Sequence, residues 1–226
     1  MDKVSNTAVL AAIDARLPDW RRLAQPLAAC FRGPDAVAAA AFVAAAARAA
    51  ADAGHPVHGI RLGGDGRVDV TLCSVDEEGG RWITARDLEL AATLSALARR
   101  LDLTAAPGEV AQLEMALDTA DHAAAGPFWA ALLGGADGRP VRDSVFDTHD
   151  RVPAVWFQQT DAHPLPRQRW HMDLWLAPEA ARERIAAALA AGGTLVDDSE
   201  APSFVVLADP EGNKACVCTA LARDRP

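Results

Sequence analysis

The sequence predicts an α+β protein of two domains. In both halves, short segments that alternate apolar and polar residues, typical of strands, are interleaved with longer segments whose apolar residues recur at helical spacing. The 226 residues, 50% of them hydrophobic, suffice for one large domain or two small ones. Only Thr104 to Gly108 carries neither pattern. We therefore expect a first domain over 1–103, a linker over 104–109 and a second domain over 110–226.

Capping residues and alternation define the elements of the first half. Asp35 is expected to begin a helix, and Gly54 suits the left-handed position that ends one. Thr84 is followed three residues later by Asp87, a capping-box pattern at the start of another helix. In order, the predicted elements are helical residues 7–30 with a break at Pro18, a helix over 36–53, a strand over 67–75 and a helix from Thr84 to about Leu101.

The second half repeats one order of elements. A strand, a helix and further strands occur twice between residues 110 and 220, which indicates an internal repeat of structure without a repeat of sequence. Pro178 suits the first position of a helix, and residues 209–213 predict the turn of a hairpin. In order, the predicted elements are strand 113–118, helix 121–133, strands 151–159 and 170–177, a helix from Pro178 to Gly192-Gly193, and hairpin strands 204–208 and 214–219.

Charge and composition exclude several classes of function. The net charge of −9 and the lack of a long basic stretch argue against a nucleic-acid partner. No segment has the roughly 18 consecutive apolar residues of a membrane span, and residues 1–5 lack the features of a signal peptide. Four cysteines do not suggest a disulfide scaffold. We expect a cytoplasmic protein with free thiols and neither a membrane nor a nucleic-acid partner.

Four segments of the first half carry a family pattern. They are Leu17-Pro18-Asp19-Trp20-Arg21, Gly54-His55-Pro56, Arg67-Val68-Asp69-Val70-Thr71-Leu72, and Thr84-Ala85-Arg86-Asp87 after Gly79-Gly80. On these segments, residues 7–102 resemble the pterin-4a-carbinolamine dehydratase family. The resemblance implies an antiparallel sheet with helices on one face. It also implies a lyase activity, the dehydration of 4a-hydroxytetrahydrobiopterin, for which we expect no cofactor.

The resemblance makes His55 and Asp87 the candidate catalytic residues. The family has a His-His-Pro triplet and a later histidine; here Gly54 replaces the first histidine and Val75 the last. Losing water from a carbinolamine requires one proton delivered and one removed, a task that suits an imidazole with its pKa near 6.5. Val75 cannot transfer a proton, so the sequence predicts a weak dehydratase.

Each candidate of the first half has a structural alternative. His55 could serve only as a helix cap or lie on the surface, and Asp87 could serve only as the capping-box partner of Thr84. His58 has no motif support and is expected to lie in an exposed loop.

The second half carries a different family pattern. Its marks are Asp121 ahead of Phe128-Trp129, then Leu132-Leu133-Gly134, residues 169–174 and the turn at residues 209–213. On these marks, residues 110–221 resemble the glyoxalase-like proteins of the vicinal oxygen chelate superfamily. The resemblance implies two βαβββ modules that form one cupped sheet, here called the cup, which holds a small ligand.

The metal positions of that superfamily fall at Glu114, about Gln158, His171 and Cys216. Gln158 is a weak neutral donor and Cys216 stands where a glutamate is usual, so we expect no metal. Glu114, His171 and Cys216 are the candidates if one binds. The alternatives are a hydrogen-bonded His171 that faces the cup and a Cys216 that fills apolar space.

Five residues are the candidate ligand contacts of the cup. His171, Asp173 and Trp175 share one face of their strand, and Trp156 and Gln158 share one face of theirs. An apolar wall with a few polar groups is typical of a ligand pocket, and we expect this cup to be the stronger ligand site. The alternative for each tryptophan is packing beneath the helices.

Two main functions of different classes remain open. The first is a 4a-hydroxytetrahydrobiopterin dehydratase-like hydro-lyase that acts through His55 and Asp87. The second is a non-catalytic small-molecule binding or resistance-type protein that uses the cup. A metal-dependent lyase or dioxygenase in the second domain is a third possibility. The expected partner is a small molecule, with a pterin as one candidate, and a homo-oligomer is left open.

Overall fold

The computed structural model divides the chain into two compact units, Met1–Gln112 and Leu113–Pro226. It describes residues 1–110, 112, 114–162, 164, 172–175, 178–218 and 222. For Glu114, Trp175 and residues 178–180 it describes the backbone. Within these ranges, no helix is both long and apolar enough to cross a membrane.

The first unit is built around an antiparallel sheet. Its strands pair in the order β1-β2-β4-β3, β7 pairs with β2 on the β1 side, and β5 and β6 form a separate hairpin. The elements are α1 (Asn6–Arg16), β1 (Trp20–Arg22), β2 (Leu27–Arg32), α2 (Ala36–Asp52), β3 (Gly59–Leu62), β4 (Arg67–Leu72), β5 (Ser74–Val75), β6 (Arg81–Trp82), α3 (Ala85–Arg100) and β7 (Thr104–Ala105), followed by a 3-10 turn over Pro107–Glu109.

Helices cover the apolar face of this sheet. The alternation predicted over 67–75 is confirmed in β4, where Val68 and Val70 are fully buried while Asp69 is half-buried. Phe42 of α2 and Leu94 of α3 belong to the same apolar core as these valines. Packing against one face of the sheet therefore fixes both helices.

The predicted helix ends of the first unit are confirmed. Asp35 caps α2 by accepting hydrogen bonds from the backbone N–H groups of Val37 and Ala38. Gly54 follows the helix with a φ of +57°, a left-handed conformation that favours glycine. Thr84 and Asp87 form the capping box of α3.

The helical prediction for residues 7–30 is wrong beyond Arg16. Residues 20–22 and 27–32 form β1 and β2 instead. Every residue of β2 from Leu27 to Phe31 is buried, so this strand has no alternation by which to recognise it. Its alanines favour a helix in isolation, and pairing with β1, β4 and β7 overrides that preference.

The linker predicted over 104–109 belongs to the first unit. Thr104 and Ala105 form β7 and pair with Arg32 and Phe31 of β2. Glu109 Oε2 lies 2.5 Å from Nη2 of Arg32 and 2.8 Å from Nη1 of Arg67. The units divide between Gln112 and Leu113. Two residues of strand are too short for a recognisable period, which is why this segment resembled a linker.

The second unit contains two βαβββ modules, as expected. Each forms a four-stranded sheet, in the orders β8-β11-β10-β9 and β12-β15-β14-β13. The first and last strands of each module are parallel neighbours. The elements are β8 (Glu114–Thr119), α4 (His122–Gly134), β9 (Pro140–Val141), β10 (Ser144–Val145), β11 (Ala154–Gln159), β12 (Met172–Trp175), α5 (Pro178–Ala190), β13 (Thr194–Asp197), β14 (Phe204–Ala208) and β15 (Lys214–Cys218), with a 3-10 turn over Gly135–Asp137.

Strands β9, β10 and β13 were not predicted. The first two have two residues each, and all four residues of β13 are exposed. Such segments carry too little apolar alternation to identify a strand. Strand β10 pairs with the longer β11, β9 pairs with β10, and β13 pairs with the longer β14, and this pairing places them in their sheets.

A buried aspartate fixes the predicted hairpin turn. Asp209 is 2% exposed and accepts a 3.0 Å hydrogen bond from Nε1 of the buried Trp129 on α4. Its carboxylate also accepts from the backbone N–H groups of Glu211 and Asn213 within the turn. The turn between β14 and β15 is thus tied to the helix that covers the first module.

We expect the two units to fold separately when the chain is divided after Gln112, and less well when it is divided after Ala105. The shorter first fragment lacks Glu109, which pairs with Arg32 and Arg67. Circular dichroism should give a lower thermal midpoint for residues 1–105 than for residues 1–112. Residues 1–112 carrying Glu109→Gln should behave like the shorter fragment. Equal midpoints for all three would contradict the assignment of residues 106–112 to the first unit.

Candidate functional site

A cleft of about 670 Å³ in the first unit contains the histidine that the sequence selected. It lies where the loop after α2, the segment that follows β4 and the first turn of α3 meet. Its lining consists of Met1, Asp2, residues 55–58, residues 73–75 and residues 84–86. The ends of three elements thus contribute polar groups to one concave surface, as is common in ligand pockets.

His55 and Asp87 form a buried hydrogen-bonded pair at this cleft. Nε2 of His55 lies 2.9 Å from Oδ1 of Asp87. Asp87 is 0% exposed and His55 is 7% exposed, so His55 is not a surface residue. Because a carboxylate can only accept, Nε2 carries the hydrogen and Nδ1 is the ring nitrogen left to exchange a proton.

The other oxygen of Asp87 accepts three further hydrogen bonds. The backbone N–H and the hydroxyl of Thr84 each donate to Oδ2 at 2.7 Å, and the hydroxyl of Ser74 donates at 2.9 Å. The same carboxylate therefore caps α3 and orients His55. The capping box that the sequence predicted for Asp87 is confirmed, and the contact with His55 is present beside it.

The backbone also fixes His55. Its N–H donates to the carbonyl of Ala50 at 3.0 Å, in the last turn of α2. The left-handed Gly54 turns the chain immediately before it. His55 is thus held at its backbone by the end of α2 and at its ring by the start of α3.

The position of the family's last histidine opens onto the cleft. Val75 lines the cleft and is 51% exposed. Its side chain does not belong to the apolar core of the unit. An imidazole at this position would enter the cleft.

His58 is a cleft residue that the sequence analysis missed. It was expected in an exposed loop, but it is half-buried and lines the cleft. Its place directly before β3 was the available signal, since a residue at a strand end is held by the sheet. The cleft therefore contains two imidazoles rather than one.

The N-terminal segment forms part of the cleft wall. Nζ of Lys3 lies 3.3 Å from Oδ2 of Asp76 and 3.6 Å from the ring centre of Trp82. A hydrogen bond from Nε1 of Trp82 lowers the pKa of Asp76, which keeps its carboxylate charged for this contact. The backbone N–H of Val4 donates to Ile83. These contacts hold Met1 and Asp2 at the cleft.

In the second unit, strand parity separates the core face from the predicted ligand face. Val155 and Phe157 of β11 are buried in the apolar core, whereas Trp156 is half-buried and Gln158 exposed. On β12, Leu174 is buried in the core and Asp173 is exposed. Trp156, Gln158 and Asp173 therefore lie on faces directed away from the core. Trp156 is half-buried and does not belong to the apolar core of the unit.

The remaining cup candidates cannot be placed as side chains. His171 lies outside the described residues, and the same holds for the side chain of Trp175. On the backbone, Trp175 pairs with Cys218 and Asp173 pairs with Cys216.

Among the described backbone positions, two of the candidate metal positions, Glu114 and Gln158, lie far apart. On β8 and β11, Glu114 pairs with Ala154, whereas Gln158 pairs with Asp118. Four residues of strand separate Glu114 and Gln158, about 13 Å at 3.3 Å per residue. Burial and the neighbouring Asp173 raise the pKa of Cys216 to about 11, so its thiol keeps its proton. The described donors therefore do not fit the superfamily's metal set.

Comparisons with known proteins find a family similarity for each unit. The family model for pterin 4 alpha carbinolamine dehydratase matches residues 2–97, and the model for the glyoxalase-like domain matches residues 114–218. No curated protein matches the chain.

Solved structures resemble each half of the chain. A transcriptional coactivator/pterin dehydratase from Brucella melitensis is 26% identical, with 43% of this chain and 99% of that chain covered and a TM-score of 0.38. A glyoxalase/bleomycin resistance protein from Albidiferax ferrireducens T118 is 24% identical, with 47% and 96% covered and a TM-score of 0.33. The two family models by themselves confirm the predicted organisation: the chain joins a pterin carbinolamine dehydratase-like domain to a glyoxalase-like domain.

Proposed function

We propose that the first unit dehydrates a pterin carbinolamine, 4a-hydroxytetrahydrobiopterin, in the cleft at His55. The observation that carries this proposal is the buried pair of His55 and Asp87 at the wall of the cleft. The match of residues 2–97 to the dehydratase family model supports the choice of substrate.

The reaction needs a proton donor and a proton acceptor. The C4a–O bond of the substrate breaks, the hydroxyl leaves with an added proton as water, and a ring nitrogen loses a proton to give the quinonoid dihydropterin. His55 exchanges a proton through Nδ1 while Asp87 holds Nε2–H. His58 is the second imidazole of the cleft and is assigned the other transfer.

The activity is expected to be slow. Gly54 and Val75 remove two of the three imidazoles of the family pattern, and a positioned acid–base group contributes about 10²–10⁴-fold. His58 offsets part of this loss, because it supplies the cleft with a second imidazole from the loop after α2.

His55→Ala should lower the rate of quinonoid dihydropterin formation by about 10²-fold or more, because it removes the oriented proton-transfer group. The rate is measured by absorbance on the purified chain. His122→Ala is the matched control, since His122 is an exposed histidine at the start of α4 in the other unit. A rate unchanged by His55→Ala would contradict the proposed site.

Val75→His should raise the rate by about tenfold or more, because this exposed position opens onto the cleft and one acid–base group contributes about 10²–10⁴-fold when well placed. Gly54→His should raise the rate less, because residue 54 has a φ of +57°, a conformation that favours glycine over histidine. Val37→His, at an exposed position of α2 outside the cleft lining, should leave the rate unchanged. No gain from Val75→His would show that the cleft does not hold the reacting atoms near residue 75.

The second candidate function is small-molecule binding by the cup. It is favoured by Trp156, half-buried on a sheet face directed away from the core with Gln158 beside it. An aromatic wall with a few polar groups suits a flat ligand. The match of residues 114–218 to the glyoxalase-like family model supports this choice of unit.

If the cup is a binding site, Trp156→Ala should weaken the binding of a flat ligand about tenfold, because it removes the aromatic contact. Pterin and small aromatic metabolites would be screened by calorimetry against the full chain. His55→Ala serves as the control and should leave binding in the cup unchanged. Binding that is lost in His55→Ala and kept in Trp156→Ala would assign the ligand to the first unit instead.

A further inference from the structure

Arg86 is a cleft residue to which the proposed chemistry gives no role. It lies in the first turn of α3, directly before Asp87, and its exposed side chain lines the cleft together with His55. Its guanidinium brings a permanent positive charge to the lining of the cleft.

The guanidinium of Arg86 is held in place by the end of α2. Its Nη2 donates to the carbonyl of Ala53 at 3.0 Å and to the carbonyl of Gly54 at 2.6 Å. These two bonds use both hydrogens of Nη2. The planar group is therefore fixed in orientation immediately beside the backbone that leads into His55.

Gly54 lies beside the guanidinium of Arg86. A Cβ placed on Gly54 would lie 3.7 Å from Nη2 of Arg86, an ordinary van der Waals contact. Arg86 therefore borders the position at which the family pattern has its first histidine.

The other donors of Arg86 remain available to a ligand. Within the part of the chain that the structure describes, Nε and Nη1 have no hydrogen-bond acceptor and Arg86 has no ion pair. The neighbouring Asp87 carboxylate is occupied by its own four donors. Asp2, the other charged lining residue, makes no ion pair with Arg86.

We propose that Arg86 is the residue that selects the ligand of this cleft, by donating to the carbonyl oxygen of a pyrimidinone ring. The fixed donors of a guanidinium suit a carbonyl or anionic oxygen and repel an amino group at the same place. The cleft is thereby specific for 4-oxo pterins over 4-amino pteridines. This inference rests on the proposed function, since it concerns the same cleft and the same class of ligand.

The test compares two ligands that differ in the group at C4, oxo or amino, and in the hydrogen on the neighbouring N3. Dissociation constants of pterin and of 2,4-diaminopteridine are measured by fluorescence titration of the full chain at neutral pH. We expect the unchanged chain to bind pterin about tenfold more tightly, the factor typical of a hydrogen bond to a charged donor. Arg86→Met should bring the ratio of the two dissociation constants close to one. Arg86→Lys, which keeps a charged donor, should retain part of the preference for pterin.

A matched control and a second readout keep the test specific. Arg61→Met removes an exposed arginine of β3 outside the cleft lining and should keep the ratio of the unchanged chain. If Arg86→Met weakens both ligands equally, Arg86 only supports the end of α2 and the inference fails. It also fails if the unchanged chain binds neither ligand or does not distinguish them. A chain that shows the Arg86-dependent ratio but does not turn over the carbinolamine counts against the proposed function alone.

Discussion

The carboxylate of Asp87 is the interaction on which the first unit depends. It is fully buried, and its two oxygens accept hydrogen bonds from Thr84, Ser74 and His55. It thereby joins the start of α3, the β5–β6 hairpin and the end of α2. A buried charge left without its partners costs about 3–5 kcal/mol, so these donors together stabilise the buried carboxylate. The orientation of His55 is a consequence of this arrangement.

The residues at the cleft differ in how strongly their contacts tie them to the rest of the first unit. His55 and Asp87 are tied to helix ends, whereas Val75 is half exposed and outside the apolar core. Position 75 thus accepts a valine on the exposed wall of the cleft, away from the contacts that hold the helix ends. His58 and Arg86 then add polar groups to the same surface from the loop after α2 and the first turn of α3. Residues at element ends thus determine the chemistry of the cleft.

The second unit consists of two modules with the same strand pairing. In both modules the first and last strands are parallel neighbours, and the helix between them covers the buried face. Asp209 acts here much as Asp87 does in the first unit, since it accepts from Trp129 and from the turn at Glu211 and Asn213. Because the core takes one face of each sheet, Trp156 and Asp173 are left to the opposite face. Neither residue belongs to the apolar core of the unit.

The sequence by itself determined the elements whose signals are local: the caps at Asp35 and Thr84, the alternation of β4, the hairpin turn at Asp209 and the order of the two modules. It selected His55 and Asp87 by family pattern. Only the tertiary structure decided the rest. Strand β2 is buried on both faces and has no period, and β7 is too short to show one. His58 and Arg86 enter the cleft only when α2, β3 and α3 meet there. Periodicity reports the burial of one face of one element, whereas a site formed by several element ends depends on their packing.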